Sequence, residues 1–66
     1  MKITLNGSPR DIEDNITIVE LLTQLGVTID EVAVEHNLQA VARSSFGVTG
    51  IRDGDCVEVV RFVGGG

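Results

Sequence analysis

The chain is poor in aromatic residues: two phenylalanines, no tryptophan and no tyrosine among 66 residues. Its core must therefore be aliphatic, built from Ile, Val and Leu. It also lacks the means of stapling itself, because its single cysteine excludes an internal disulfide and a Cys-rich metal site. Basic residues are scarce as well. Five Lys and Arg against ten Asp and Glu leave a formal charge of −5, which repels phosphate backbones and provides no basic stripe for nucleic acid. A charged partner should present a basic surface. No apolar run approaches the ~18 residues of a membrane span, and the amino terminus MKITLN has no apolar segment of signal-peptide length. These absences lead us to expect a cytoplasmic, membrane-free domain, monomeric when free. At this length there is room for one small core, near the lower limit for unaided folding.

What is present is short and well punctuated. Lys2-Ile3-Thr4-Leu5-Asn6 alternates polar and apolar residues, as a strand with one buried face does. Gly7-Ser8-Pro9 reads as the turn into a second strand, Arg10 to Glu13. Thr17 stands three residues before Glu20 in a capping box, with Ile16 placed to meet Leu21 as a hydrophobic staple. Ile18, Leu21, Leu22 and Leu25 fall at i, i+3, i+4 and i+7, the stripe of a helix lying on a sheet, and Gly26 supplies its stop. Val32 to His36 reads as a strand, a turn around Asn37 leads to a short return strand at Val41-Ala42, and Arg43 to Gly50 reads as a loop containing a helical turn. Asp53-Gly54 permits the positive φ of a tight turn before the last strand, Cys56 to Phe62.

The order β-β-α-β-β-β implies an α+β fold, a mixed sheet of about five strands with one main helix on one face. The first and last strands are expected side by side in the middle. Val57 and Val59 then face the helix with Ile3 and Leu5, and Glu58, Val60 and Phe62 face the other way.

The last strand runs directly into Gly64-Gly65-Gly66, so we expect a domain over residues 1–63 and a flexible tail over residues 64–66. Three glycines form the most slender stretch a chain can offer, at a high entropic cost of ordering. That suits threading into a narrow channel, although a frayed end is the alternative for such a run taken alone. Extended, Val63 to Gly66 reaches roughly 13 Å beyond the sheet at ~3.3 Å per residue. A carboxylate on Gly66 is ionised at neutral pH and can attack the α-phosphorus of ATP, becoming an activated acyl group.

The surrounding segments agree in order and spacing with a known family. TIVELLTQLG, VAVEHN, VARSSF and DGDCVEVV running into VGGG resemble the ThiS family of thiamine-biosynthesis sulfur carriers, ubiquitin-like β-grasp proteins, over nearly the whole chain. The resemblance implies that Gly66 is adenylated by an E1-like adenylyltransferase using ATP and converted to a thiocarboxylate. The sulfur comes from cysteine through a persulfide, and thiazole synthase receives it. Gly64 and Gly65 would be the access arm, with Val60, Phe62 and Val63 in the partner-binding region. No catalytic residue, metal or bound cofactor is implied, because the chain is a cosubstrate of other enzymes. Asn37-Leu38, where many members have Asn-Gly, and Ala42, where many have proline, depart from the pattern in a turn rather than in the tail.

The alternatives are the small subunit of molybdopterin synthase, which tends to be longer and richer in aromatics, and a ubiquitin-like modifier or interaction module. Cys56 has no Cys-X-X-Cys partner, and His36 has no second histidine or cysteine at ligand spacing. Asp11, Glu13 and Asp14 read as a solvated acidic edge, and Arg43 and Arg61 as residues for surface ion pairs or partner contacts.

Overall fold

In a computed structural model that describes residues 1–62, the chain first reverses at Asn6 and Gly7. These residues have φ of 50° and 83°, the paired positive values that let a two-residue hairpin follow the twist of its strands. The turn is therefore one step earlier than Gly7-Ser8-Pro9, and the second strand begins earlier too. β1 (Lys2–Leu5) pairs antiparallel with β2 (Ser8–Asp11) in the register Leu5 to Ser8 and Thr4 to Pro9. Because Leu5 and Ser8 flank the turn as a hydrogen-bonded pair, the Pro9 nitrogen faces away from β1 and its missing N–H costs the ladder nothing.

The helix α1 (Ile18–Leu25) forms where the sequence places it. The Thr17 hydroxyl accepts from the Glu20 N–H at 3.3 Å, and the Thr17 N–H donates to Glu20 Oε1 at 3.0 Å. Gly26 closes the helix at φ 73°, where a Cβ would be strained. Ile18, Leu21 and Leu22 are buried, and Leu25 packs half-buried against the same core.

β3 (Val32–His36) occupies the expected residues, but β4 (Gln39–Val41) starts two residues before Val41-Ala42. The reason lies in the turn: Asn37 and Leu38 both take positive φ, 51° and 70°, so two residues suffice and pairing resumes at Gln39. Leucine is poorly suited to that conformation. β5 (Cys56–Arg61) completes a five-stranded mixed sheet in the order β2-β1-β5-β3-β4. As expected, the first and last strands lie together in the centre, and they run parallel.

The segment between β4 and β5 was expected as a loop with a helical turn, and a 3₁₀ turn occupies Arg43–Ser45. Its role was not foreseen. The Phe46 carbonyl accepts from the Val19 N–H and the Thr49 carbonyl from the Ile18 N–H, at 3.1 and 3.0 Å. These bonds satisfy two of the amide groups that a helix leaves unpaired at its start. Phe46 itself is 2% exposed and sits in the core with Ile3, Leu5, Ile12, Ile16, Ile51 and Val57.

Candidate functional site

β5 carries its residues alternately to the two faces of the sheet. Val57 is buried and Val59 half-buried on the helix side, whereas Glu58, Val60 and Phe62 are exposed on the other. Val60 and Phe62 are 60% and 52% exposed, as the alternation requires. Ala33, which the sequence did not single out, lies opposite Val60 on β3 and is exposed with it. The same outer face carries Glu35 and Glu58, directly paired across the two strands, so a small apolar patch is bordered by negative charge. Such a patch favours a partner that is apolar at its centre and basic at its rim.

Near the end of the described residues the Phe62 N–H donates to the Glu31 carbonyl at 2.7 Å, which ties the strand end to the segment before β3. The expectations for Val63, Gly64, Gly65 and Gly66 concern residues outside those described.

On the other side of β5, Asn6 forms a clamp. Its Oδ1 accepts from the Val59 N–H at 2.7 Å and its Nδ2 donates to the Val59 carbonyl at 3.3 Å. Both Val59 backbone groups are thereby satisfied where β1 has already turned away. The Asn-Gly pair was visible in the sequence as turn chemistry. Its second task spans 53 positions and has no local signal.

The opposite end of the sheet is organised around Asp55. His36 Nε2 lies 2.6 Å from Asp55 Oδ2, Asn37 Nδ2 donates to Asp55 Oδ1 at 3.2 Å, and the Arg52 N–H donates to Oδ2 at 2.8 Å. Asn37 Oδ1 in turn accepts from the Cys56 N–H at 2.9 Å. His36 thus holds the β3–β4 turn against the start of β5, and Cys56 is exposed on the outer face.

Burial acts to raise the Asp55 pKa, but the hydrogen bonds from His36, Arg52 and Asn37, together with the charge interaction with His36, outweigh it and hold the carboxyl below its usual value. A depressed carboxyl contributes stability that is present above its unfolded value, about 3.9, and is lost as the pH falls through the lower folded value. The melting-temperature advantage of the native chain over Asp55→Asn should therefore be constant at neutral pH and shrink below about pH 4. An advantage that grows on acidification would contradict this assignment.

The remaining candidates lie on the surface. Asp11, Glu13 and Asp14 are exposed, with Asp11 3.8 Å from Lys2 Nζ. Arg43 pairs loosely with Asp30 at 3.8 Å and donates to the Ile29 and Val32 carbonyls. Among the described residues no grouping of three or more His, Cys, Asp or Glu side chains could hold a metal ion. No helix there is long and apolar enough to cross a membrane.

A family model, that of the ThiS family, matches residues 3–66. The chain belongs to the ThiS family. Its β-grasp architecture, five mixed strands with one helix across them, is the ubiquitin-like fold expected from the sequence. A sulfur carrier protein ThiS of Thermus thermophilus is 41% identical over 64 residues, covering 97% of this chain and 98% of that one. The crystal structure of a thiamine biosynthesis protein (ThiS) from Geobacter metallireducens is 38% identical and superimposes with a TM-score of 0.87, each chain wholly covered. A thiazole synthase of Paramagnetospirillum magneticum is 44% identical over all 66 residues, and a second, from Magnetococcus marinus, is likewise 44% identical. The chain spans 20% of the length of each of these two relatives.

Proposed function

We propose that this ThiS-family chain is a sulfur carrier of thiamine biosynthesis whose reactive group is the Gly66 carboxylate. The observation that carries the reading is the family match, which runs from β1 through the glycine tail. Residues 1–63 act as the handle, and Gly64 and Gly65 form the arm that threads the carboxylate into partner active sites. The chain is a cosubstrate rather than an enzyme, works in the cytoplasm and binds no cofactor of its own.

The chemistry follows from what a carboxylate lacks. It is a poor electrophile until an E1-like adenylyltransferase joins it to the α-phosphorus of ATP, releasing pyrophosphate. A persulfide sulfur, derived from cysteine, then attacks the activated carbonyl carbon and displaces AMP. A thiol reductant cleaves the resulting acyl disulfide and leaves the thiocarboxylate. Thiazole synthase takes the sulfur, and hydrolysis returns the carboxylate. The direct test is incubation with the activating enzyme and ATP, followed by the mass of the C-terminal peptide. An adenylated Gly66 is expected, and an unmodified peptide with no pyrophosphate released would refute the proposal.

Val60 and Phe62 form the docking patch, and Val63 is a further partner-binding residue. Truncating an exposed aromatic that fills a partner pocket costs ~2 kcal/mol or more of binding, a loss of about thirtyfold in affinity. A core phenylalanine would instead cost ~3–5 kcal/mol of stability. Phe62→Ala is expected to weaken binding to the activating enzyme and to thiazole synthase while leaving the melting temperature within a few degrees. A large drop in melting temperature, or unchanged binding to both enzymes, would remove Phe62 from the docking surface.

A further inference from the structure

The edge of β5 is closed along most of its length and open at one place. The 37/56 and 31/62 contacts fix which β5 residues face β3: the Asn37 N–H donates to the Cys56 carbonyl, and the Phe62 N–H to the Glu31 carbonyl. Residues 56, 58, 60 and 62 therefore use their backbone groups toward β3, and residues 57, 59 and 61 point theirs the other way. On that other side Val57 is met by the Asn6 N–H and Val59 by the Asn6 side chain. β1 has turned away by then, and among the described residues the N–H and C=O of exposed Arg61 meet no partner.

The two outer edges of the sheet are treated differently. β2 carries Pro9 and β4 is three residues long, both features that discourage strand addition.

We propose that this gap is a strand-addition site, occupied by an extended segment of thiazole synthase that continues the line β1 vacates. The proposal rests on the carrier reading given above. The choice of occupant comes from the two thiazole synthases whose own chains contain a region matching this entire domain. The choice of binding mode comes from the tail: a glycine run offers a partner no side chains, only backbone groups, which an extended segment can pair. A ladder that starts at Arg61 lies directly before that run.

Two measurements test it. In the complex with thiazole synthase, hydrogen exchange at the Arg61 amide should slow at least tenfold relative to the free chain, and an unchanged rate would overturn the proposal. Arg61→Pro deletes the N–H without touching the bonds that Val60 and Phe62 make to β3. It should bind thiazole synthase at least tenfold more weakly than Arg61→Ala at a similar melting temperature, and equal affinities would also overturn it. If the proline variant fails to fold, the exchange measurement on the native chain decides. Thiocarboxylate formation on the native chain keeps the two readings apart. If it forms but Arg61→Pro delivers sulfur to thiazole synthase as Arg61→Ala does, strand addition fails alone; if the native chain never forms it, the carrier reading fails.

Discussion

A chain lacking Gly66 is expected to form neither an acyl-adenylate nor a thiocarboxylate, while unfolding at the same temperature as the full chain. Shortening by one residue leaves a carboxylate on Gly65 but withdraws it by roughly 3.3 Å. Reacting atoms must sit ~3–3.5 Å apart, and a misplacement of about 1 Å already costs ~10²-fold. The loss should therefore be complete within detection. Stability should be untouched, because among the described residues every buried one lies between Ile3 and Val57. Residual adenylation of the truncated chain, or loss of its cooperative unfolding transition, would show that the division between handle and tail is wrong.

Phe46→Ala should have the opposite profile, a large loss of stability with the carboxylate chemistry intact in whatever fraction remains folded. Phe46 is the bulkiest of the fully buried side chains, and deleting a buried phenylalanine side chain costs ~3–5 kcal/mol. A domain of this size has roughly 3–10 kcal/mol in total. The substitution should therefore remove roughly a third to all of that stability, read as a large fall in the urea midpoint. A loss below about 1 kcal/mol would mean that the segment carrying Phe46 is packed far more loosely than its 2% exposure indicates.

The elements that could be read from the sequence are those specified by neighbours. Thr17 and Glu20 cap one helix three residues apart, Ile18 to Leu25 form its buried stripe, and the alternation along β5 put Val60 and Phe62 outside. Misplaced elements had either an overlooked local signal or none. Asn6-Gly7 carries the signal of a two-residue hairpin turn, which the proline two residues further on masks. β4 was displaced because Leu38, 88% exposed at positive φ, disguises a two-residue turn that glycine would have announced. Phe46 could not be assigned, since its segment has no period and its burial depends on contacts with the helix start, some thirty residues back. The Asn6 clamp on Val59 and the His36–Asp55 pair are likewise products of the sheet order. For the candidate site, alternation is enough to expose the patch, whereas the open backbone edge at Arg61 depends on where β1 ends beside β5, which has no local signal.

If sulfur travels on the Gly66 carboxylate, the intact mass of the chain purified from cells making thiamine will reveal it. A population heavier by the difference between sulfur and oxygen is expected, with fragmentation placing the added mass on Gly66. A chain found only as the free carboxylate under those conditions, or joined through Gly66 to lysines of other proteins, would contradict it.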